Sequence, residues 1–572
     1  MPVPARSSTR RRSPRSSAFT LAITALTLTA VAGCSRCGGG GATKETVQVA
    51  HSIPAQVQAA VIVPDLAALG ERLRLLESLK LASFAAQLQG LPNAQAFGDA
   101  IARQAGVDVR SAESLKAAGI APERGFGVAL LSDDAGYFVV GVKDEAAFAA
   151  TMKRLAGDRL GAREEGSGKT AQGGHKHVWF TRSNGPQHQL GYVLRDGLAF
   201  VSTGAMSEKL PEWATLPREK SLGEDARFKA SLQRLPEKRD LVAHVPLGKW
   251  TAQGGPGLTA VARLDATGLF IDADAPWPDT RESLSALEPR DAPDQATLLP
   301  ADAFAVFRYR GEAKGLSTVL PMIIGPHLRR AFESSGLKLE EALLQNLKPG
   351  AVASLSVSPD IQLSGGMPEL DVRRTNPFRY AQLVAYAQPQ KPEDATALLG
   401  KMPEVAPRFG ARIEGVEREG RTLYVTRYAQ GEGVHMAQAA DGRVVFASPL
   451  GRLEQTLKTL ATGPETLDAA RAGPPLLRDE SLKEALNAHA FSMVVDLNQL
   501  RDSVRALPAD AWGIGGFAMK ASALRWLDAT DDLRAITMGA SRASSGARTG
   551  ETQVAGNGDS VRLQLNLRFA KK

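Results

Sequence analysis

The chain has 572 residues, 43% of them apolar, a formal charge of +8 and two cysteines, Cys34 and Cys37. That length corresponds to about three to four domains, with apolar material enough for buried cores. Beyond residue 37 there is no thiol for a disulfide or a thiolate metal site, so core burial must supply the stability. Five arginines before residue 16 carry most of the excess charge, which leaves no concentrated basic face of the kind that nucleic acid requires.

Arg6, Arg10, Arg11, Arg12 and Arg15 precede an uncharged apolar stretch, Ala18 to Ala32, that closes in Val31-Ala32-Gly33-Cys34. The stretch is short of the roughly 20 residues that span a bilayer, so it reads as an export signal. Ser13 to Ser17 separate the arginines from it, and ordinary secretion is expected rather than a twin-arginine route. The ending resembles the lipobox family of bacterial signals. The resemblance implies removal of residues 1–33 and acylation of Cys34 as the lipid attachment residue. The remaining 539 residues carry a formal charge of +3. Cys37 is read as an incidental neighbour. Residues 34–56, opening on Ser35 to Lys44 with four consecutive glycines, are expected to be a flexible tether of roughly 25 Å mean reach. Ser35 in place of an aspartate after the cysteine implies an outer-membrane anchor with the body facing the periplasm.

From residue 57 the pattern is α+β. Val61 to Leu69 and Met493 to Leu500 each read as a strand running into a helix, with Asp65 and Asp496 as N-caps. Leu66, Leu69, Leu73 and Leu76 match Leu497, Leu500, Val504 and Leu507 as apolar stripes. Looser versions open at Leu241 and Phe304. A second pairing is shifted by 245 residues: Thr181-Arg182 with Asp196-Gly197, and Thr426-Arg427 with Asp441-Gly442. Strand-then-helix pairs precede each, Tyr137 to Val142 with Glu145 to Leu155, and Gln382 to Ala387 with Glu393 to Met402. Each Asp-Gly lies between apolar runs, where a tight hairpin tolerates positive φ.

The expected architecture is therefore two related tandem repeats, 57–280 and 301–572, each an antiparallel sheet with helices packed on one face, joined by a Pro- and Asp-rich linker at 281–300. Ser358 to Phe378 and Ser541 to Ser560 lack apolar periodicity and are expected to be mobile loops. Val561 to Phe569 alternates apolar and polar residues, which predicts a last strand with one buried and one wet face.

Chemistry-bearing motifs are few. Gly166 to Thr170 imitates a phosphate loop, but Arg163 occupies the position of its first glycine, so a mobile surface loop without nucleotide is expected. His175 and His177, two apart, would share a strand face and could supply two metal ligands. With a turn at Asn184-Gly185, His188 pairs with Thr181, about 13 Å along the strand from His177 at 3.3 Å per residue, so surface histidines are expected. Asp272 and Asp274, and the group Asp528, Asp531 and Asp532, read as solvated acidic turns lacking a calcium-loop pattern. No catalytic residue, cofactor or metal site is expected, and no zinc-helix or nucleophile-elbow motif occurs.

Beyond the lipobox the chain resembles, in general pattern, lipoproteins of unknown function from envelope-bearing bacteria, which brings no catalytic residues. The leading expectation is a non-catalytic, membrane-anchored envelope protein that binds another envelope component in assembly. A carrier of lipid or another apolar ligand comes second and an exported hydrolase third.

Overall fold

The computed structural model describes residues 46–570, apart from 47, 133–134, 184, 247–256, 277–283, 319–332, 335–344, 358–379, 429–430, 463–472, 509–511, 513–515 and 544–559. It is an α+β structure built on antiparallel sheet, and it divides into two compact units. The first runs to Ser78 and resumes over Leu91–Asp265, and the second comprises Leu79–Gly90 and Ala266–Lys572.

Unit 1 contains β1 (Ala59–Val63), β2 (Phe126–Ser132), β3 (Ala135–Gly141), β4 (Glu164–Lys169), β5 (Lys176–Arg182), β6 (Gly185–Arg195), β7 (Leu198–Thr203), β8 (Leu241–Pro246) and β9 (Gly257–Asp265). All neighbours are antiparallel, in the order β9-β8-β1-β2-β3-β7-β6-β5-β4. The β6–β7 connection is the predicted two-residue hairpin. Asp196 and Gly197 both take positive φ, 53° and 73°, which is the backbone a tight turn with matching twist demands. The helix Glu145–Leu160 buries Phe148, Thr151 and Met152 as its spacing predicts, and Phe148 meets Tyr192 edge-on with ring centres 5.5 Å apart. Val49, Ala50 and Ile53 belong to the core of this unit. Packing thus begins inside the stretch read as tether, because three apolar side chains there find a sheet to cover.

Both predicted helix caps are in place. Asp65 accepts from the amides of Ala67 and Ala68 at 2.8 and 3.1 Å, and Asp496 from those of Asn498 and Gln499 at 2.8 and 3.1 Å. Each bond satisfies an amide that the first helical turn leaves without a partner. Asp65→Ala is expected to destabilise the helix Leu66–Glu77 by about 1 kcal/mol and Asp65→Ser by much less. Hydrogen exchange of that helix is the measurement; equal exchange in both variants would refute the cap's role.

Unit 2 contains β10 (Gly268–Pro276), β11 (Ala303–Tyr309), β12 (Ala351–Val357), β13 (Ala381–Ala387), β14 (Ala411–Arg418), β15 (Arg421–Tyr428), β16 (Gly431–Glu432), β17 (His435–Gln438), β18 (Val444–Ser448), β19 (Phe491–Asp496), β20 (Leu533–Arg542) and β21 (Ser560–Phe569). The antiparallel order is β10-β21-β20-β19-β11-β12-β13-β18-β17-β15-β14, with β16 also on β15. Leu453, Leu457, Leu482 and Leu486, from the helices Leu450–Thr462 and Glu480–Asn487, pack with Val306, Val352, Val384 and Val494 as one core cluster.

Two boundaries differ from the expectation. β10 pairs along its whole length with β21, so residues 266–276 belong to the second unit. Leu284, Ala286, Ala296 and Leu299 are buried, so part of 281–300 is packed chain; its prolines and aspartates mask an apolar subset. Residues 358–379 and 544–559, which hold most of the expected mobile loops, lie outside the described residues, as do 281–283, while Ser541 and Arg542 close β20 and Ser560 opens β21.

Candidate functional site

The two faces of the unit 2 sheet differ sharply. The registers set Phe307, Met493, Met538, Leu565 and Ile271 in one cross-strand row. Flanking rows are Tyr309, Phe491, Ala540, Leu563 and Ala273 on one side, and Ala305, Val495, Ile536, Leu567 and Leu269 on the other. Fifteen such positions from five strands would ordinarily form a core. Instead Phe491, Met538 and Leu563 are 42%, 42% and 41% exposed, and Ile271, Phe307, Met493, Val495, Ile536, Leu565 and Leu567 are half-buried. A contiguous apolar surface of this kind makes this face the candidate site of the unit. The same unit also turns Leu88, Phe517, Met519 and Trp526 to solvent, on the helices Lys80–Leu88 and Gly516–Ala529.

The opposite face is the covered one, and it sets buried polar side chains beside the core cluster. Ser492, Thr537, Arg308 and Ser354 are buried there beside Val306 and Val494. Asp272 and Asp274 are buried as well, which overturns their reading as solvated turns. They lie mid-strand in β10, whose polar side faces inward. Asp272 Oδ1 accepts from Arg562 Nε at 3.0 Å and Nη2 at 2.6 Å and from Gln564 Nε2 at 2.6 Å, and Ser560 Oγ donates to Asp274 at 2.8 Å. The final strand is corrected as well. β21 exists as predicted, but its sides do not divide into buried and wet: Val561 is buried, Leu563 is exposed, and Leu565, Leu567 and Phe569 are half-buried like the polar residues between them, which engage Asp272, Thr537 and Ser481.

His489 continues this network, with Nε2 2.6 Å from Gln564 Oε1 and Nδ1 3.2 Å from Ser541 Oγ. Hydroxyl, imidazole and carboxylate thus stand in series, yet the arrangement is poorly suited to general-base catalysis. A neutral amide separates His489 from Asp272, and Asp272 already accepts from Arg562. Burial holds the imidazole below its ordinary pKa, with the nearby Arg562 acting in the same direction. A second apparent series, Ser221, His51 and Glu224 in unit 1, fails because Ser221 is fully buried and its hydroxyl donates to the Arg218 carbonyl at 2.5 Å. Both networks are satisfied polar packing, which specifies register rather than chemistry.

Asp528 and Asp531 pair with cations at the surface, Arg505 at 2.7 Å and Lys80 at 2.9 Å respectively, and Asp532 accepts from the Lys80 amide at 2.5 Å. Asp531 and Asp532 lie in a turn as expected, whereas Asp528 belongs to the last turn of the helix Gly516–Ala529. Among the described residues no group of three or more His, Cys, Asp or Glu is placed to hold a metal ion. Cys34 and Cys37 lie outside the described residues.

The phosphate-loop imitation is a strand. Residues 164–169 form β4, paired with β5 so that Gly166 faces Trp179 and Gly168 faces His177. A Cβ at Gly166 would stand 2.3 Å from the indole nitrogen of Trp179. Glycine is therefore needed there for the ring to lie across the strand, not for a phosphate. His175 precedes β5 instead of sharing its face with His177. Thr181 pairs with His188 as predicted, but the ladder shifts register on both sides of that pair. The His177 and His188 ring centres are 6.4 Å apart, and His177 is buried, so the expectation of distant surface histidines is corrected.

No family model, curated protein or solved structure matches this chain. The geometry alone carries the functional argument.

Proposed function

We propose that this chain is a non-catalytic, lipid-anchored envelope protein that uses the apolar sheet face of its second unit to hold another envelope protein. The observation that carries the reading is the trio Phe491, Met538 and Leu563 from two adjacent cross-strand rows, each about two-fifths exposed on a face where the adjoining positions are also apolar. Leaving such side chains in water forgoes roughly 25 cal/mol for each Å² that a partner would cover. The openness of the face favours a protein surface over a carried lipid, since small-ligand sites enclose roughly 70–90% of their occupant. The anchor rests on the resemblance of Val31-Ala32-Gly33-Cys34 to a lipobox, and outer-membrane placement on Ser35 after it.

The two units are further proposed to be related halves. In support, the order β9-β8-β1-β2-β3-β7-β6-β5-β4 corresponds strand for strand to β20-β19-β11-β12-β13-β18-β17-β15-β14. The helices Glu145–Leu160 and Pro392–Val405 follow the corresponding strands β3 and β13. The 245-residue shift places Thr181 and Thr426 in β5 and β15, and each Asp-Gly at a corresponding turn.

A photo-crosslinking residue replacing Met538 in the full-length chain, followed by separation of inner and outer membranes, tests the reading. One discrete adduct with an envelope protein in the outer-membrane fraction is the expected result. Adducts with lipid alone, adducts with no defined partner, or inner-membrane residence would each overturn the part of the reading they address. A crosslinker replacing Glu419, a surface position in unit 2, serves as the control and should give no such adduct.

A further inference from the structure

Trp179 sits between two glycines on the neighbouring strands, Gly166 of β4 and Gly191 of β6. The first lets the indole lie over the ladder. The second admits the turn Gly204–Lys209, whose Ser207 Cβ would stand 2.8 Å from a Cβ at position 191. Around the indole stand two imidazoles, His188 stacked on it at 5.5 Å and 12° and His177 tilted against it at 4.9 Å. The imidazole ring centres are 6.4 Å apart.

Each imidazole buries one nitrogen with no partner, Nε2 of His177 and Nδ1 of His188. Leaving a polar atom so placed carries a desolvation penalty that a bound ion would relieve. His177 bonds the Ser207 backbone, and because Nε2 is unpartnered that bond falls to Nδ1. The tautomer is thereby fixed and Nε2 carries a lone pair. A backbone contact to the far nitrogen is also the usual support of a ligating histidine.

We propose that His177 and His188 form a two-coordinate site for a soft monovalent d10 cation, copper(I) or silver(I), bound through His177 Nε2 and His188 Nδ1. The ligand count argues for this class. Zinc sites take three or four protein ligands, whereas no group of three His, Cys, Asp or Glu occurs among the described residues. The spacing agrees. With metal–nitrogen bonds of about 2 Å, two imidazoles on one ion have their ring centres farthest apart when collinear, and 6.4 Å is close to that limit. Collinear coordination by two neutral nitrogens suits a d10 monocation, and imidazole is among the ligand types that copper accepts.

Silver(I) is the probe, since it needs no reductant. The full-length chain carrying Cys34→Ser and Cys37→Ser, which removes its only thiols, is titrated with silver nitrate in chloride-free buffer. Calorimetry and tryptophan fluorescence are read together. One equivalent is expected to bind and to quench fluorescence, and Trp179→Phe should abolish the quench while keeping the heat. His188→Ala is expected to weaken binding beyond the about 10–100-fold that loss of a supporting contact costs, with an unchanged circular dichroism spectrum. His177→Gln serves as the second variant should His188→Ala fail to fold. The proposal is overturned by the absence of a one-equivalent event, or by an affinity that survives in a folded His188 or His177 variant.

Discussion

Asp272→Ala is expected to destabilise the β10–β21 pairing by about 3 kcal/mol, the scale of losing charge-assisted hydrogen bonds at a buried position. Asp272 receives three donors on one carboxylate oxygen, two from Arg562 and one from Gln564. Removing it leaves the Gln564 amide and the inner edge of the Arg562 guanidinium without an acceptor. The Arg562 side chain is 33% exposed, so water takes up part of that loss. This keeps the cost below the upper range for stranding a fully buried charge. Gln564 also holds His489, and the damage should therefore spread to the start of β19. The local readout is hydrogen exchange of peptides spanning β10 and β21, where protection should fall by about two orders of magnitude at 1.4 kcal/mol per tenfold. Arg562→Ala should cost at least as much, because it leaves the Asp272 carboxylate, only 11% exposed, with the neutral Gln564 amide as its remaining donor among these three bonds. If Asp272→Ala leaves exchange in β10 and β21 unchanged, the network contributes nothing to the pairing.

The same strand shows what sequence reading reaches and what it does not. Alternation in Val561 to Phe569 identifies a strand whose two faces differ, because the side-chain period of a strand is two. It does not identify which face another element covers, since that depends on residues more than 60 positions away, such as Leu486 and Val494. Asp272 was misread for this reason, and the apolar face made by Phe491, Met538 and Leu563 has no signature in the local sequence. Local chemistry was more legible. The caps at Asp65 and Asp496 and the turn at Asp196-Gly197 depend only on the residues within a few positions, and all three stand as read. The cluster at Trp179 lies between these cases. The Thr181–His188 pair matches the reading but not its turn, because Gly185 already pairs with Arg182 and the register shifts beside Thr181 restore the match; neither those shifts nor the use of Gly166 as a bed for an indole was legible. Its signal was present in the sequence as glycines at 166, 168 and 191, but only the ladder shows that two of them flank one tryptophan.

Acid is expected to weaken unit 1 by about 3 kcal/mol between pH 6.5 and pH 4 through His244. The imidazole of His244 is buried, lies edge-on to Phe228 at 5.3 Å and has Nδ1 3.0 Å from Thr259 Oγ1. Burial pushes its pKa down to about 4, against a weaker opposing pull from Asp225. In the unfolded chain an imidazole titrates near about 6.5. As pH falls below that value the unfolded state takes up a proton that the folded state refuses. The stability contributed by neutral His244 is therefore complete above about pH 6.5 and declines by up to about 1.4 kcal/mol per pH unit, until the folded protein also protonates near pH 4. His51, His177 and His489 are displaced in the same direction, each chiefly by burial, so the whole chain should lose stability in this window. Asp108 and Asp479, held below the ordinary carboxylate range, add their loss only at lower pH, which separates them from the histidines. Urea midpoints measured from pH 7.5 to 4 should show the decline in the natural chain and a shallower one in His244→Gln, whose neutral side chain has no proton to gain. Equal slopes in the two proteins would mean that His244 is solvated in the native state. The Gln variant would then have lost only packing against Phe228, lowering every midpoint by the same amount at all pH values.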